Sequence, residues 1–249
     1  MLNKSIFNFP LASDNLKYSP VTDQSSNNSY FYSHSHIGCE ESGSGDFFGP
    51  LCVVSCYVDE RDFDWLMSIG LKDSKDCTDQ EIITLAREIK DRVIYSLLML
   101  DNSHYNQMAS EGNNLATIKA KLYNQAITNV MQKLQLPVAC KAISQFVSPK
   151  TYFNYLKGEV IVVKDLTFDP KGETRHIGII CAGILSRYAC LQYLANMQKS
   201  LKIKIPRGTS ATSEQVAIEL AKKYGMNILV KVTKNNLTSY KRVKEALSK

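Results

Sequence analysis

Short β-type apolar runs that alternate with amphipathic helical periods predict an α/β domain. Its centre is a mixed sheet flanked by helices, and it carries a basic, helical C-terminal part. Three observations carry this expectation. The run LCVVSCYV at 51–58 reads as a strand paired antiparallel with the segment leading into Glu40. Helical spacing is clear at Ile118, Leu122, Ala126 and Val130, and again at Ile177, Ile180, Cys181, Ile184, Leu185, Tyr188 and Leu191. From Lys199 to Lys249 there are 12 Lys or Arg against 3 Asp or Glu, a net of +9 in a chain whose total is +6.

Taken in order, residues 1–33 are rich in Ser, Asn and Tyr, with Ser25-Ser26-Asn27-Asn28-Ser29 at their centre, and are expected to form a flexible extension to a single domain over 34–249. The stretch from Ile37 to Pro50 reads as the end of a buried strand that breaks into a tight glycine loop. Leu71-Lys72-Asp73-Ser74-Lys75 is a polar loop, and Thr78 with Glu81 forms a capping box that opens a helix to about residue 92. A strand is expected over 95–100, a polar loop over 102–114 and a helix over 115–134. The strand 137–143 then delivers Ser144-Gln145-Phe146. A short helix over 149–156 and a strand over 160–164 precede Phe168 to His176, where Glu173 opens the long helix ending near Ser200. The loop Ile205-Pro206-Arg207-Gly208, a helix over 212–224 stopped at Gly225, the apolar run 228–232 and the basic tail Lys241-Arg242-Val243-Lys244 complete the chain.

The composition limits the function classes. With 249 residues, 44% of them apolar, the chain can bury one substantial core. It lacks a run of about 18 uncharged apolar residues, so no membrane span is expected. The apolar core of its N-terminus is too short for a signal peptide. Seven cysteines without a Cys-x-x-Cys pair argue against a disulfide framework and against a zinc site, so a reduced, cytoplasmic protein is expected. Cys52, Cys181 and Cys190 read as small core residues. The basic C-terminal part suits a polyanion-binding face, although a solvated basic helix has the same composition.

Adjacent carboxylates at Glu40 and Glu41, followed by glycines at alternate positions, are how a metal or phosphate site begins. A solvated Glu-Glu pair beside an ordinary turn reads the same. Glu173 by itself is equally compatible with a helix-dipole role.

The stretch Gly38-Cys39-Glu40-Glu41-Ser42-Gly43-Ser44-Gly45-Asp46-Phe47-Phe48-Gly49-Pro50 resembles the opening signature of the type 2 ribonucleases H, and of ribonuclease HIII in particular, Gly-x-Asp-Glu-x-Gly-x-Gly-Asp-(aromatic)-Phe-Gly-Pro. Further segments follow in family order. Lys72 to Lys75 resembles Lys-Asp-Ser-Lys, and Leu122-Tyr123-Asn124 resembles Leu-His-Asn. Phe168 to His176 is similar to Phe-x-x-Lys-Ala-Glu-x-x-His, and Cys181 to Arg187 to Ala-Ala-Ser-Ile-x-Ala-Arg with Gly183 replacing the Ser. The resemblance spans roughly residues 36–241.

It implies a ribonuclease H-like fold and a metal-dependent endoribonuclease that cleaves the RNA strand of RNA–DNA hybrids with Mg²⁺ or Mn²⁺, as a monomer. It implies catalytic and metal-ligating roles for Glu40, Glu41 and Glu173. Gly43, Ser44, Gly45, Lys72, Ser74, Lys75, Lys171 and Arg187 would bind substrate. Two of the metal positions depart from the family. Glu40 stands where it has Asp, and Ser144 stands at its third metal-binding carboxylate. Asp46, Asp73 and Asp169 are the carboxylates available to compensate. The alternatives are an inactive relative that still binds nucleic acid, and an interaction protein that keeps only the scaffold.

Overall fold

The computed structural model describes residues 34–135 and 137–248; the expected N-terminal extension lies outside the described residues. Five strands, β1 (His36–Ser42), β2 (Leu51–Val58), β3 (Ile94–Leu100), β4 (Lys141–Ser144) and β5 (Thr167–Asp169), form one sheet in the order β3-β2-β1-β4-β5. The β3-β2-β1 half is antiparallel, while β1-β4-β5 is parallel. The sheet is therefore mixed, as the sequence predicts.

Alternation along β2 sorts its side chains between two cores. Leu51 and Val53 face α4 (Leu115–Leu134), where they meet Ile118, Leu122, Ala126 and Val130. Val54, Cys56 and Val58 face α2 (Asp79–Ile89) and the long α6 (Ile177–Leu201). Both faces are covered, which is why β2 is buried from end to end. The α2 capping box is present, with the Thr78 hydroxyl accepting from the Glu81 amide at 3.2 Å and the Glu81 carboxylate accepting from the Thr78 amide at 2.7 Å.

Helix α6 is long and apolar enough to cross a bilayer by length and composition, but it lies against β1 and β2 as a core helix. It reaches the sheet by backbone contact. A Cβ on Gly38 would fall 2.1 Å from the Gly178 carbonyl carbon. The Gly178 amide donates to His36 Nε2 at 2.9 Å. A third core forms where Phe47 and Phe48 pack on Leu194 and Met197 and on the C-terminal helices α7 (Ala211–Tyr224), α8 (Asn227–Val232) and α9 (Thr238–Leu247). Lys234 rivets that part to the glycine loop. Its buried ammonium donates to the carbonyls of Asp46 (2.9 Å) and Gly49 (2.7 Å).

Three local expectations are corrected. The polar stretch 102–114 is not all loop, because Asn102–Ser110 is a helix, α3, capped by Asp101 and burying Tyr105 and Met108 at i, i+3. No strand forms over 160–164. There the Asn124 amide group takes the backbone contacts, donating to the Ile161 carbonyl and accepting from the Val163 amide, and the second parallel partner of β4, after β1, comes later as β5. Glu173 does not begin α6; it sits in a separate 3-10 turn, Gly172–Thr174. The remaining elements are α1 (Phe63–Ser68) and α5 (Pro149–Tyr155).

Candidate active site

The parallel register brings the chemistry together. Cys39 is level with Ile143, and Ser144 with Asp169, so Glu40 emerges beside Ser144 at the carboxyl ends of β1 and β4. The chain leaving β5 then folds back to present Glu173. Glu40, Glu41 and Glu173 line one narrow cleft of about 30 Å³ with Asp73, Ser74, Lys75 and Gly183.

Each carboxylate is held differently. Glu40 Oε1 accepts from the Glu41 amide at 2.9 Å. Burial, and then the charge of Glu41, push the Glu40 carboxyl up to about 8. Glu41 is paired with Lys119 Nζ, both side chains being nearly buried, and its other oxygen accepts from the Tyr123 hydroxyl. The same hydroxyl lies 3.3 Å from Glu40 Oε1. Glu173 receives Lys75 Nζ at 2.5 Å and the Ser144 hydroxyl at 3.2 Å. Burial acts to raise the Glu173 carboxyl, but the Lys75 ammonium, a backbone hydrogen bond and the Ser144 hydroxyl together outweigh it and hold the group below its ordinary value.

The expected substrate residues fall into two groups. Gly43, Ser44 and Gly45 form the turn after β1. Gly43 has φ +85°, and a Cβ there would fall 2.2 Å from the Pro50 carbonyl oxygen, so glycine is required. Gly45 is open to solvent, and Lys171 and Lys75 are exposed near the turn that carries Glu173. Lys72 is paired instead with Glu81 at 2.7 Å. Arg187 does not reach into the cleft. It donates to the Ser74 carbonyl and to Asp79 Oδ1 at 2.7 Å, and so anchors the loop carrying Ser74 and Lys75. Gly183 faces the same loop; a Cβ there would lie 3.3 Å from Ser74 Oγ and 3.5 Å from Glu40 Cγ.

Of the three carboxylates available to compensate for Ser144, Asp73 lines the cleft. Asp46 is tied to the Gly208 amide at 2.7 Å, and buried Asp169 to His176 Nε2 at 2.9 Å and the Lys171 amide at 2.8 Å. Lys119 and the contact of Tyr123 with the acid pair escaped sequence reasoning. Tyr123 stood out only as the residue at the family's His, and its i, i+4 spacing to Lys119 is the signal that could have paired them.

The donors are hard oxygens of the kind that suit Mg²⁺ or Mn²⁺. Among the described residues, however, no three His, Cys, Asp or Glu side chains are gathered as a ready-made metal cluster. The corner that would complete one is the neutral Ser144, and ammonium groups hold Glu41 and Glu173.

The profile of the family described as Ribonuclease HII matches residues 37–242. This chain belongs to the ribonuclease HII family. Its relatives include the ribonuclease HIII of Bacillus subtilis strain 168, 36% identical over 214 residues that cover 86% of this chain and 68% of that protein. The ribonuclease HIII of Phytoplasma mali is 38% identical over 203 residues, covering 82% and 70%. Among solved structures, Bst-RNase HIII in complex with Mn²⁺ superposes with a TM-score of 0.83 at 27% identity, over 86% of this chain and 70% of that one. The ribonuclease H2 of Pyrococcus horikoshii OT3, at 17% identity and a TM-score of 0.70 over 86% and 99%, shares the fold. Membership of the family places the chain among ribonuclease H-type nucleases and the sheet within the ribonuclease H-like fold.

Proposed function

We propose that this member of the family is an endoribonuclease directed at the RNA strand of RNA–DNA hybrids. It would require Mg²⁺ or Mn²⁺ and work below the capacity of a four-carboxylate site. The observation that carries this reading is the convergence of Glu40, Glu41 and Glu173 on one cleft at the carboxyl ends of the parallel strands. The kinship with a Mn²⁺-bound ribonuclease HIII supports it. A bound divalent ion supplies an activated water and charge compensation at the scissile phosphate. Glu40, Glu41 and Glu173 would hold it, while Ser144 adds only a neutral oxygen. The turn Gly43–Gly45 lets backbone approach the sugar edge, where 2′-hydroxyls distinguish RNA from DNA. Lys171, and Lys75 on leaving Glu173, would meet phosphates.

Ser144 also favours a second reading, hybrid binding without cleavage. Its hydroxyl donates to Glu173 and contributes no charge. Cleavage of a hybrid in Mg²⁺ and in Mn²⁺, beside a Glu40→Asp/Ser144→Asp variant, separates the two. Turnover by the native chain excludes binding alone, and turnover by the variant only supports it. If neither cleaves, a hybrid-binding titration at two salt concentrations decides whether phosphate contacts persist, because such contacts weaken steeply with salt. Absence of binding would leave a scaffold protein.

A further inference from the structure

Helix α4 contributes two side chains to the acid pair. Lys119 and Tyr123 are one turn apart on its buried face, and both reach Glu41. They take different oxygens, with the ammonium on Oε1 and the phenol on Oε2, so both ends of the carboxylate are gripped and its plane is set. The phenol is fully buried, and its hydroxyl also lies 3.3 Å from Glu40 Oε1, which makes it the one side chain seen to bridge the two acids among the described residues. Lys119 is steadied in turn by the ring of Phe146, 4.1 Å from its Nζ and two residues beyond Ser144.

We infer that Lys119 and Tyr123 are a positioning pair for this site: they hold Glu41, and through the Tyr123 hydroxyl Glu40, in the orientation in which the acids take a divalent cation. This rests on the cation-dependent reading proposed above. The physical ground is that an oxygen donor set must be oriented before the ion arrives, and groups that orient ligands control affinity. The pair matters more here than where a charged side chain occupies position 144, because fewer anionic donors remain to correct a misplaced Glu41.

The test measures Mn²⁺ binding by electron paramagnetic resonance for the native chain and for Tyr123→Phe, Tyr123→His and Lys119→Met, with the melting temperature of each and the kcat and KM of any that cleave hybrid. Tyr123→Phe, which removes one oxygen, should weaken Mn²⁺ by about tenfold or more and lower kcat at fixed Mn²⁺ while leaving KM for the hybrid unchanged. Tyr123→His, which restores a ring donor, should recover part of the loss. A folded Tyr123→Phe that binds Mn²⁺ within about twofold of the native chain overturns the inference. If Tyr123→Phe does not fold, Lys119→Met is judged by the same criterion. If the native chain binds no Mn²⁺, the comparison moves to the Glu40→Asp/Ser144→Asp background. If that background also fails to bind, the cation reading itself has failed. Crystal structures of the metal-free native and Tyr123→Phe proteins then decide the positioning role separately, an unmoved Glu41 rotamer refuting it and a displaced one supporting it.

Discussion

The Ser144 hydroxyl donates to Glu173 Oε2 at 3.2 Å, so the residue that replaces a family carboxylate has become a neutral hydrogen-bond partner for a neighbouring one. A carboxylate in its place would set a second negative charge against Glu173 and beside Glu40. Without a cation, Ser144→Asp should therefore destabilise the protein by about 1–3 kcal/mol, the usual range for an unfavourable buried charge. Added Mn²⁺ should recover that loss. Thermal melts with and without Mn²⁺ check this, and a variant as stable as the native chain in chelator would contradict it.

Glu40 predicts a pH dependence. Its carboxyl is raised in the folded state to about 8, by burial first and by Glu41 second, from an ordinary value of 4.5. Between these values the folded chain holds a proton that the unfolded chain has released. The contribution to stability is thus present in full below about pH 4.5 and is lost as pH rises through about 8. Comparing melting temperatures of native and Glu40→Gln proteins across this window in chelator isolates it. The native curve should fall more steeply, and parallel curves would show that Glu40 is not protonated.

The contact between Gly38 and Gly178 leaves no room for a side chain. Gly38→Ala would place a methyl 2.1 Å from backbone atoms of α6, which cannot move aside as a flexible side chain could. A loss of about 3 kcal/mol or more is expected in urea denaturation, in the range of severe core disruptions. A loss under about 1 kcal/mol would mean that α6 tolerates displacement from β1.

Lys234 connects the C-terminal helices to the glycine loop through the carbonyls of Asp46 and Gly49. Lys234→Met keeps most of the stem but leaves two buried acceptors without their donor, at a cost of about 1–3 kcal/mol. Hydrogen exchange should accelerate at the amides of Phe47 and Gly49, which bond to Gly208 and Val232 across the same junction. Unchanged exchange there would remove Lys234 from the junction's stability.

What the sequence determined by itself was the α/β class, the antiparallel pairing of β1 with β2, the capped α2, the core helices α4 and α6 and the family. These follow from local periodicity, caps and contiguous motifs, which need no knowledge of distant contacts. The departures at Glu40 and Ser144 were legible for the same reason. The helix at Asn102–Ser110 was not, because burial of Tyr105 and Met108 against the rest of the fold, rather than a continuous apolar pattern, makes it stable. The strand expected over 160–164 failed because the Asn124 side chain, far away in sequence, takes its backbone groups. Only the tertiary structure set Lys119 and Tyr123 against Glu41, turned Arg187 to the Ser74 loop and tied Asp46 and Asp169 to other partners. Side-chain pairings between separate elements depend on the register of β1 with β4 and on how closely α6 and α4 approach the sheet, and spacing along the chain encodes neither.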